Sequence, residues 1–182
     1  NYNVWVANRW GAGTINRVLH DCECPDATTL CTACVDVTVS IGNDSVPRGL
    51  AIDANNDVWV GSWNQKRIYR INNNVARNGG EVGDILGNWA IPVNPYGLAI
   101  DGTGKIWIAQ IGHGIGCFDT VTEASCGSFT RSGNAIWAAD TDSTCLSPYG
   151  VAVDAEGNVW WGNWSCGGLG RLDRATYETS VV

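Results

Sequence analysis

Residues 95–111 read PYGLAIDGTGKIWIAQI, and the phrase recurs as PRGLAIDANNDVWVGSW over residues 47–63 and PYGVAVDAEGNVWWGNW over residues 148–164. Each copy places a proline and a glycine ahead of a short apolar alternation, then an aspartate, a turn and an apolar-Trp-apolar run. The copies begin at intervals of 48 and 53 residues. A fourth, truncated copy, NVWVANRW, opens the chain and aligns Trp5 with Trp59, Trp107 and Trp160. Recurrence in register at such a period is the signature of a repeat architecture and takes precedence over local structure assignment.

Within a copy, Leu50 and Ile52, Leu98 and Ile100, or Val151 and Val153 alternate with small residues, as a half-buried strand requires. The segments 53–57, 101–105 and 154–158 are rich in Asp, Asn and Gly, which suits a tight turn with positive φ and side-chain capping. The apolar-Trp-apolar run then forms the second strand of a hairpin. Third strands are expected at 13–19, 66–72 and 170–174, and fourth strands at 35–41, 84–92 and 134–140. Four antiparallel strands over about 50 residues match a propeller blade better than a solenoid coil. The fold expected is therefore all-β: a β-propeller of about four blades over residues 1–182, the first truncated at 1–46 and carrying a Cys-rich insertion at 22–34. Because that first blade lacks its innermost strand, the chain reads as part of a larger ring or of a multi-chain assembly.

The repeats resemble those of NHL-type and virginiamycin B lyase-like propellers, most specifically in the Pro, Gly, apolar, Ala, apolar, Asp phrase and the aromatic strand after it. The resemblance covers nearly the whole chain. It implies that Gly49, Gly97 and Gly150 lie on strands beside the central axis, as packing residues. It also points to His113, in AQIGHGIG, as a weak catalytic candidate, since lyase-like propellers carry functional histidines on one face together with carboxylates and magnesium. Glu123 is the glutamate near it in sequence.

The chain has 182 residues, a formal net charge of −7 and no Lys or Arg cluster, which disfavours a nucleic-acid partner. No apolar run is long enough to insert in a membrane. Methionine is absent, even at position 1, so the chain reads as a processed or partial product. Eight cysteines, Cys22, Cys24, Cys31, Cys34, Cys117, Cys126, Cys145 and Cys166, favour disulfides and an extracellular or cell-surface location. The first four have an alternative as a zinc site; Cys117 is expected to pair with Cys126, and Cys145 with Cys166. Asn43 and Asn163 begin glycosylation sequons.

Asp53, Asp101 and Asp154 recur with the repeat and read as turn caps, with calcium as a lesser alternative. No cofactor is required by any motif, although calcium or magnesium is compatible, and no nucleophile elbow or metalloprotease His pair occurs. The ten tryptophans divide into two sets. Trp5, Trp59, Trp107 and Trp160 sit mid-strand and are assigned to the core; Trp10, Trp63 and Trp164 fall at strand ends and are assigned to ligand contact. These features favour a secreted binding scaffold that recognises a protein or glycan through its loop face. The alternatives are a lyase-like or lactonase-like metal-dependent enzyme, and a structural subunit that assembles through blade edges.

Overall fold

The computed structural model describes residues 3–23, 32–111, 114–127, 147–164, 167–175 and 179–181. It contains four antiparallel sheets, each a blade. The first has three strands, β1 (Val4–Ala7), β2 (Thr14–Val18) and β3 (Val35–Ser40). The second comprises β4 (Pro47–Ile52), β5 (Val58–Ser62), β6 (Arg67–Ile71) and β7 (Ile85–Ala90). The third comprises β8 (Leu98–Ile100), β9 (Lys105–Gln110), β10 (Gly114–Asp119) and β11 (Ala124–Gly127). The last comprises β12 (Pro148–Val153), β13 (Val159–Asn163), β14 (Leu169–Leu172) and β15 (Thr179–Val181).

Two outer strands differ from the sequence reading. The fourth strand of the third blade is Ala124–Gly127, ten residues ahead of the expected position, and residues 134–140 lie outside those described. Asp119 explains the early return: its Oδ1 accepts the backbone N–H of Val121 at 2.8 Å and of Thr122 at 3.1 Å, which closes a tight turn. The last blade has a fourth strand, which the reading did not supply, in Thr179–Val181 paired with β14.

The innermost strands β4, β8 and β12 lie side by side, and β1 neighbours β4. Glycine makes this approach feasible. A Cβ on Gly49 would lie 2.4 Å from the Leu98 backbone nitrogen, and one on Gly97 would lie 2.7 Å from the Tyr149 carbonyl oxygen. Alternating side chains then form three cores between consecutive blades. Trp5, Ile15 and Val39 meet Val58, Val60 and Ile71; Trp59 and Ile68 meet Ile106, Ile108 and Phe118; Trp107 and Ile115 meet Val159 and Leu172. Each mid-strand tryptophan thus faces the following blade. Trp160 is the exception to the core assignment: it faces outward from the last blade and is only half-buried.

The recurring aspartates act as locks between turn and core. Asp53 Oδ1 accepts the backbone N–H of Asn55 and Asp57 at 2.8 and 2.9 Å, while Oδ2 accepts the Trp59 indole N–H at 2.9 Å. Asp101 does the same with Thr103, Lys105 and Trp107, the indole at 3.0 Å. Asp154 binds the backbone N–H of Asn158 and the Trp160 indole, at 2.7 and 2.8 Å. On the other side of the tryptophan, a third-strand arginine caps the ring: Arg17 over Trp5, Arg70 over Trp59 and Arg171 over Trp160, at 5.9, 5.7 and 5.7 Å. In the third blade Cys117 takes that place opposite Trp107.

Two disulfides are described. Cys22 bonds Cys34 across the insertion, with Cα atoms 5.4 Å apart, and Cys117 bonds Cys126 between β10 and β11, with Cα atoms 5.1 Å apart. Joined to each other, Cys22 and Cys34 offer no thiolate to zinc, which removes them from the alternative metal site. Cys24, Cys31, Cys145 and Cys166 lie outside the described residues.

Two outcomes follow from this geometry. Gly97→Ala should destabilise the chain by about 1–3 kcal/mol through overpacking, whereas Gly150→Ala, with nothing within 4 Å of the added carbon, should leave the melting temperature almost unchanged; thermal unfolding of both variants checks this. The indole of Trp160 and the side chain of Asn158 hold the Asp154 carboxyl down from an ordinary 3.8 to about 2. A depressed folded-state value stabilises the fold above the unfolded value and ceases to do so as pH falls through the folded one. The stability difference between the parent chain and Asp154→Asn should therefore be full above about pH 4 and should shrink toward pH 2, as measured by tryptophan fluorescence during unfolding.

Candidate ligand-binding face

The antiparallel hairpins bring the start of each innermost strand beside the end of the second strand, so both project at one mouth of the arc. Backbone bonds fix this junction, from Trp63 N–H to the Val46 carbonyl at 3.0 Å and from Trp164 N–H to the Ser147 carbonyl at 2.8 Å. The second position of each Pro-x-Gly phrase then places Arg48, Tyr96 and Tyr149 at the same level.

These side chains form a continuous belt across three blades. The Arg48 guanidinium lies 5.1 Å from the Trp63 ring and 4.0 Å from that of Tyr96. Trp63 meets Tyr96 edge to face at 5.4 Å, Tyr96 meets Tyr149 at 4.0 Å, and Tyr149 stacks on Trp164 at 4.8 Å. On the first blade, Arg9 lies 4.5 Å from the ring of Trp10. Exposure is uneven. Trp10 and Trp164 are 77% and 69% exposed, while Trp63 is half-buried between its neighbours. Of the strand-end tryptophans, Trp63 and Trp164 belong to the belt and Trp10 stands with Arg9 at the first blade. In the third blade the equivalent position is Ile111.

The belt carries an uncompensated positive charge. Arg17, Arg70, Arg77 and Arg171 each have a carboxylate within 4 Å. Among the described residues, Arg9 and Arg48 have none, as is also true of Lys66, Arg67, Lys105 and Arg174 elsewhere on the chain. Burial lowers the Arg48 pKa from its ordinary value, opposed by Tyr96 and assisted by repulsion from Arg9; a guanidinium nonetheless remains charged near neutrality. Its Nε is enclosed without a hydrogen-bond partner. Two arginines and a row of rings can hold a ligand that presents an acidic group beside a flat or ring-shaped apolar surface.

Arg48, Tyr96 and Tyr149 were not singled out in the sequence, because the middle position of Pro-x-Gly varies. The signal available was that all three variants are cationic or aromatic. His113 lies outside the described residues. Glu123 is exposed and lies 3.7 Å from Arg70, and His20 is an exposed loop residue beside Asp21. Asn43 is exposed in the loop before β4, whereas Asn163 is half-buried in β13. No group of three or more His, Cys, Asp or Glu side chains gathers into a metal site among the described residues. No helix there is long and apolar enough to cross a membrane.

Comparison with solved structures agrees with the blade architecture. Virginiamycin B lyase from Staphylococcus aureus superposes with a TM-score of 0.70 at 18% identity, over 99% of this chain and 51% of the lyase chain. A chain of the nidogen/laminin complex gives 0.63 at 16% identity, over 98% of this chain and 60% of that one. A gluconolactonase from Xanthomonas campestris gives 0.54 at 13% identity, over 76% and 47%. No protein-family model matches the sequence, and no curated protein matches it. The class these likenesses define is the β-propeller. The chain spans about half the length of the solved lyase it resembles.

Substitution separates the two tryptophan sets. Trp59→Ala, which empties a fully buried site, should cost about 3–5 kcal/mol, while Trp164→Ala should change stability by no more than about 0.5 kcal/mol. Chemical denaturation of each variant measures the contrast.

Proposed function

We propose that the chain is part of an NHL-type propeller that works outside the cell as a binding module, and that it takes a protein or glycan with an acidic group at the mouth where Arg48 lies. The observation that carries this reading is the belt itself: a guanidinium packed between Trp63 and Tyr96, without a carboxylate partner, in a chain of net charge −7. Anchoring aromatics with arginine are the residue types that dominate recognition surfaces. The charge contrast also gives the mouth a preference within an otherwise acidic molecule, since an anionic ligand is repelled elsewhere. Two disulfides support export. In this reading Trp10, Trp63 and Trp164 supply ring contacts and Arg9 and Arg48 supply the charge.

A panel of acidic and neutral oligosaccharides and acidic peptides, presented to the immobilised protein, tests the assignment. Acidic members should bind, more weakly at high salt, and Arg48→Gln should weaken binding about tenfold or more, the usual worth of a charge-assisted hydrogen bond. Binding that is indifferent to both Arg48→Gln and Trp164→Ala would place the ligand elsewhere. Chemical turnover of a bound member would favour the lyase-like or lactonase-like enzyme.

A further inference from the structure

Residues 72–84 link β6 to β7, where residues 120–123 suffice between β10 and β11. The longer link holds one helical turn, α1 (Val75–Asn78), which buries none of its side chains. Polar bonds hold it down instead. Asn74 caps its start: Oδ1 accepts the Arg77 backbone N–H at 3.3 Å and Nδ2 donates to the Asn55 carbonyl at 2.7 Å. At its end, Asn72 Nδ2 donates to the Gly79 carbonyl at 2.8 Å, and Asn78 Nδ2 donates to Asp57 Oδ1 at 2.8 Å and to Asn72 Oδ1 at 3.1 Å. Asp57 is fully buried, and its Oδ2 accepts Nε and a terminal nitrogen of Arg70, the residue that caps Trp59.

Asn78 and Gly79 form the one Asn-Gly pair in the sequence. Asparagine cyclises most readily when glycine follows it, because no side chain shields the attacking backbone nitrogen. The reaction requires the Gly79 nitrogen to give up its proton and reach Asn78 Cγ. In α1 that N–H is bound to the Val75 carbonyl at 2.9 Å, and the side-chain amide it would attack is pinned to Asp57 and Asn72. The closed turn therefore blocks the reaction. Yet this turn is also the part of the blade best suited to open. Two 2.8 Å bonds, from the Gly83 N–H to the Asn72 carbonyl and from the Asn72 N–H to the Asp84 carbonyl, clamp the ends of the link, and Val82 packs against the first core. Residues 73–81 can lift from this clamp as a local unit while the sheet stays paired.

From the Asn-Gly pair and the polar cage that closes over it, we infer that Asn78 is a self-modification site gated by α1. When the turn opens, the Gly79 nitrogen loses its proton to solvent and bonds to Asn78 Cγ. The Cγ–Nδ2 bond breaks, and Nδ2 takes up a proton and departs as ammonia. Water then opens the resulting succinimide at either carbonyl, leaving aspartate or isoaspartate. The balance is one water consumed and one ammonia released, with no change of oxidation state. The product does not fit the cage. A carboxylate replaces the donor shared by Asp57 Oδ1 and Asn72 Oδ1, it confronts a buried carboxylate, and it sets negative charge at the C-terminal end of α1. Arg70 and Arg77 are the cations at that point, and Asp57 already engages both, at 2.6 and 3.7 Å. Isoaspartate also lengthens the backbone by one methylene, which a single helical turn has no room to absorb. Each opening that ends in reaction thus leaves the turn open for good.

Ageing the protein at neutral pH, then digesting it with an acid protease and mapping the peptides by mass spectrometry, reads the site. Asn78 should convert before any other asparagine, yet about tenfold or more slowly than in a free peptide of residues 70–84, because the closed turn protects it. Urea below the global transition should accelerate conversion before tryptophan fluorescence changes. Asn74→Ala, which removes the cap, should accelerate it about tenfold. In Asn78→Asp the Gly79 amide should lose its protection from hydrogen exchange while the amides of β6 keep theirs. Conversion as fast as in the free peptide, conversion that starts only with global unfolding, or earlier conversion at another asparagine would each overturn the inference. So would a Gly79 amide as well protected in Asn78→Asp as in the parent chain, since the carboxylate would then fit the cage.

Discussion

A carboxylate shared between a turn and an indole is the interaction on which three of the four blades depend. One oxygen of Asp53, Asp101 or Asp154 accepts backbone amides of the hairpin turn, and the other accepts the N–H of a tryptophan on the strand that leaves it. This couples two otherwise separate requirements. The turn fixes the register of the two inner strands, and the second oxygen of the same carboxylate fixes the rotamer of the tryptophan on the strand that follows. Tryptophan brings a large apolar surface but carries one donor that burial would leave unpaired. Aspartate resolves that conflict where the chain must turn anyway. For Asp101, burial opposes ionisation, yet the hydrogen bonds from Thr103 and Trp107 and from the Lys105 and Thr103 amides outweigh it and hold the carboxyl below its ordinary range. The lock is thus charged at neutral pH.

Orientation of the tryptophans then sets how blades join. Trp59 stacks with Trp89 and tilts against Phe118 across the second and third blades, at 5.3 and 5.7 Å. At the axis the opposite demand holds, and Gly49 and Gly97 let backbones approach where any side chain would collide. A blade is therefore wide where rings fill the gap and thin where glycine removes it, which makes it a wedge. Wedges laid side by side curve into an arc. The mouth belt is a by-product of that curvature, because Arg48 and Tyr96 stand one residue ahead of the crowded Gly49 and Gly97, and Tyr149, whose carbonyl Gly97 approaches, is drawn in beside them.

Much of this was legible in the sequence, and the limits have physical causes. Period, turn chemistry and alternation revealed the blades because each is a local property repeated in register. The Asp–Trp bond was not visible, although both residues were flagged, since six residues around a turn is neither a strand nor a helix period. Outer strands were misplaced for a related reason. ASCG at 124–127 lacks apolar alternation because Ala124, Ser125 and Cys126 are exposed, unlike Val39 of β3 in the first blade, and what places the strand is the Asp119 turn. At the mouth, the tryptophans drew attention by their bulk, while Arg48 was hidden by its exchange with tyrosine at a variable position.

That variability separates structural from functional constraint within one repeat. Proline, glycine, aspartate and tryptophan recur because every wedge needs them, and a residue required by every wedge cannot give one blade a distinct task. The position between proline and glycine is under no such demand: its side chain leaves the sheet at the mouth, where neither axis crowding nor the inter-blade core dictates its size. Here it is Arg, Tyr and Tyr, and the residues four beyond the core tryptophans are Arg9, Trp63, Ile111 and Trp164. Arg48, Trp63, Tyr96 and Tyr149 are half-buried against one another, and Trp164 stacks on Tyr149 at the exposed end of the row. Arg48 packs as a cation over the Trp63 and Tyr96 rings, while burial there lowers its pKa. The two rings offset part of that penalty, so the cation at the mouth is built from the one position of the repeat that the wedge leaves free.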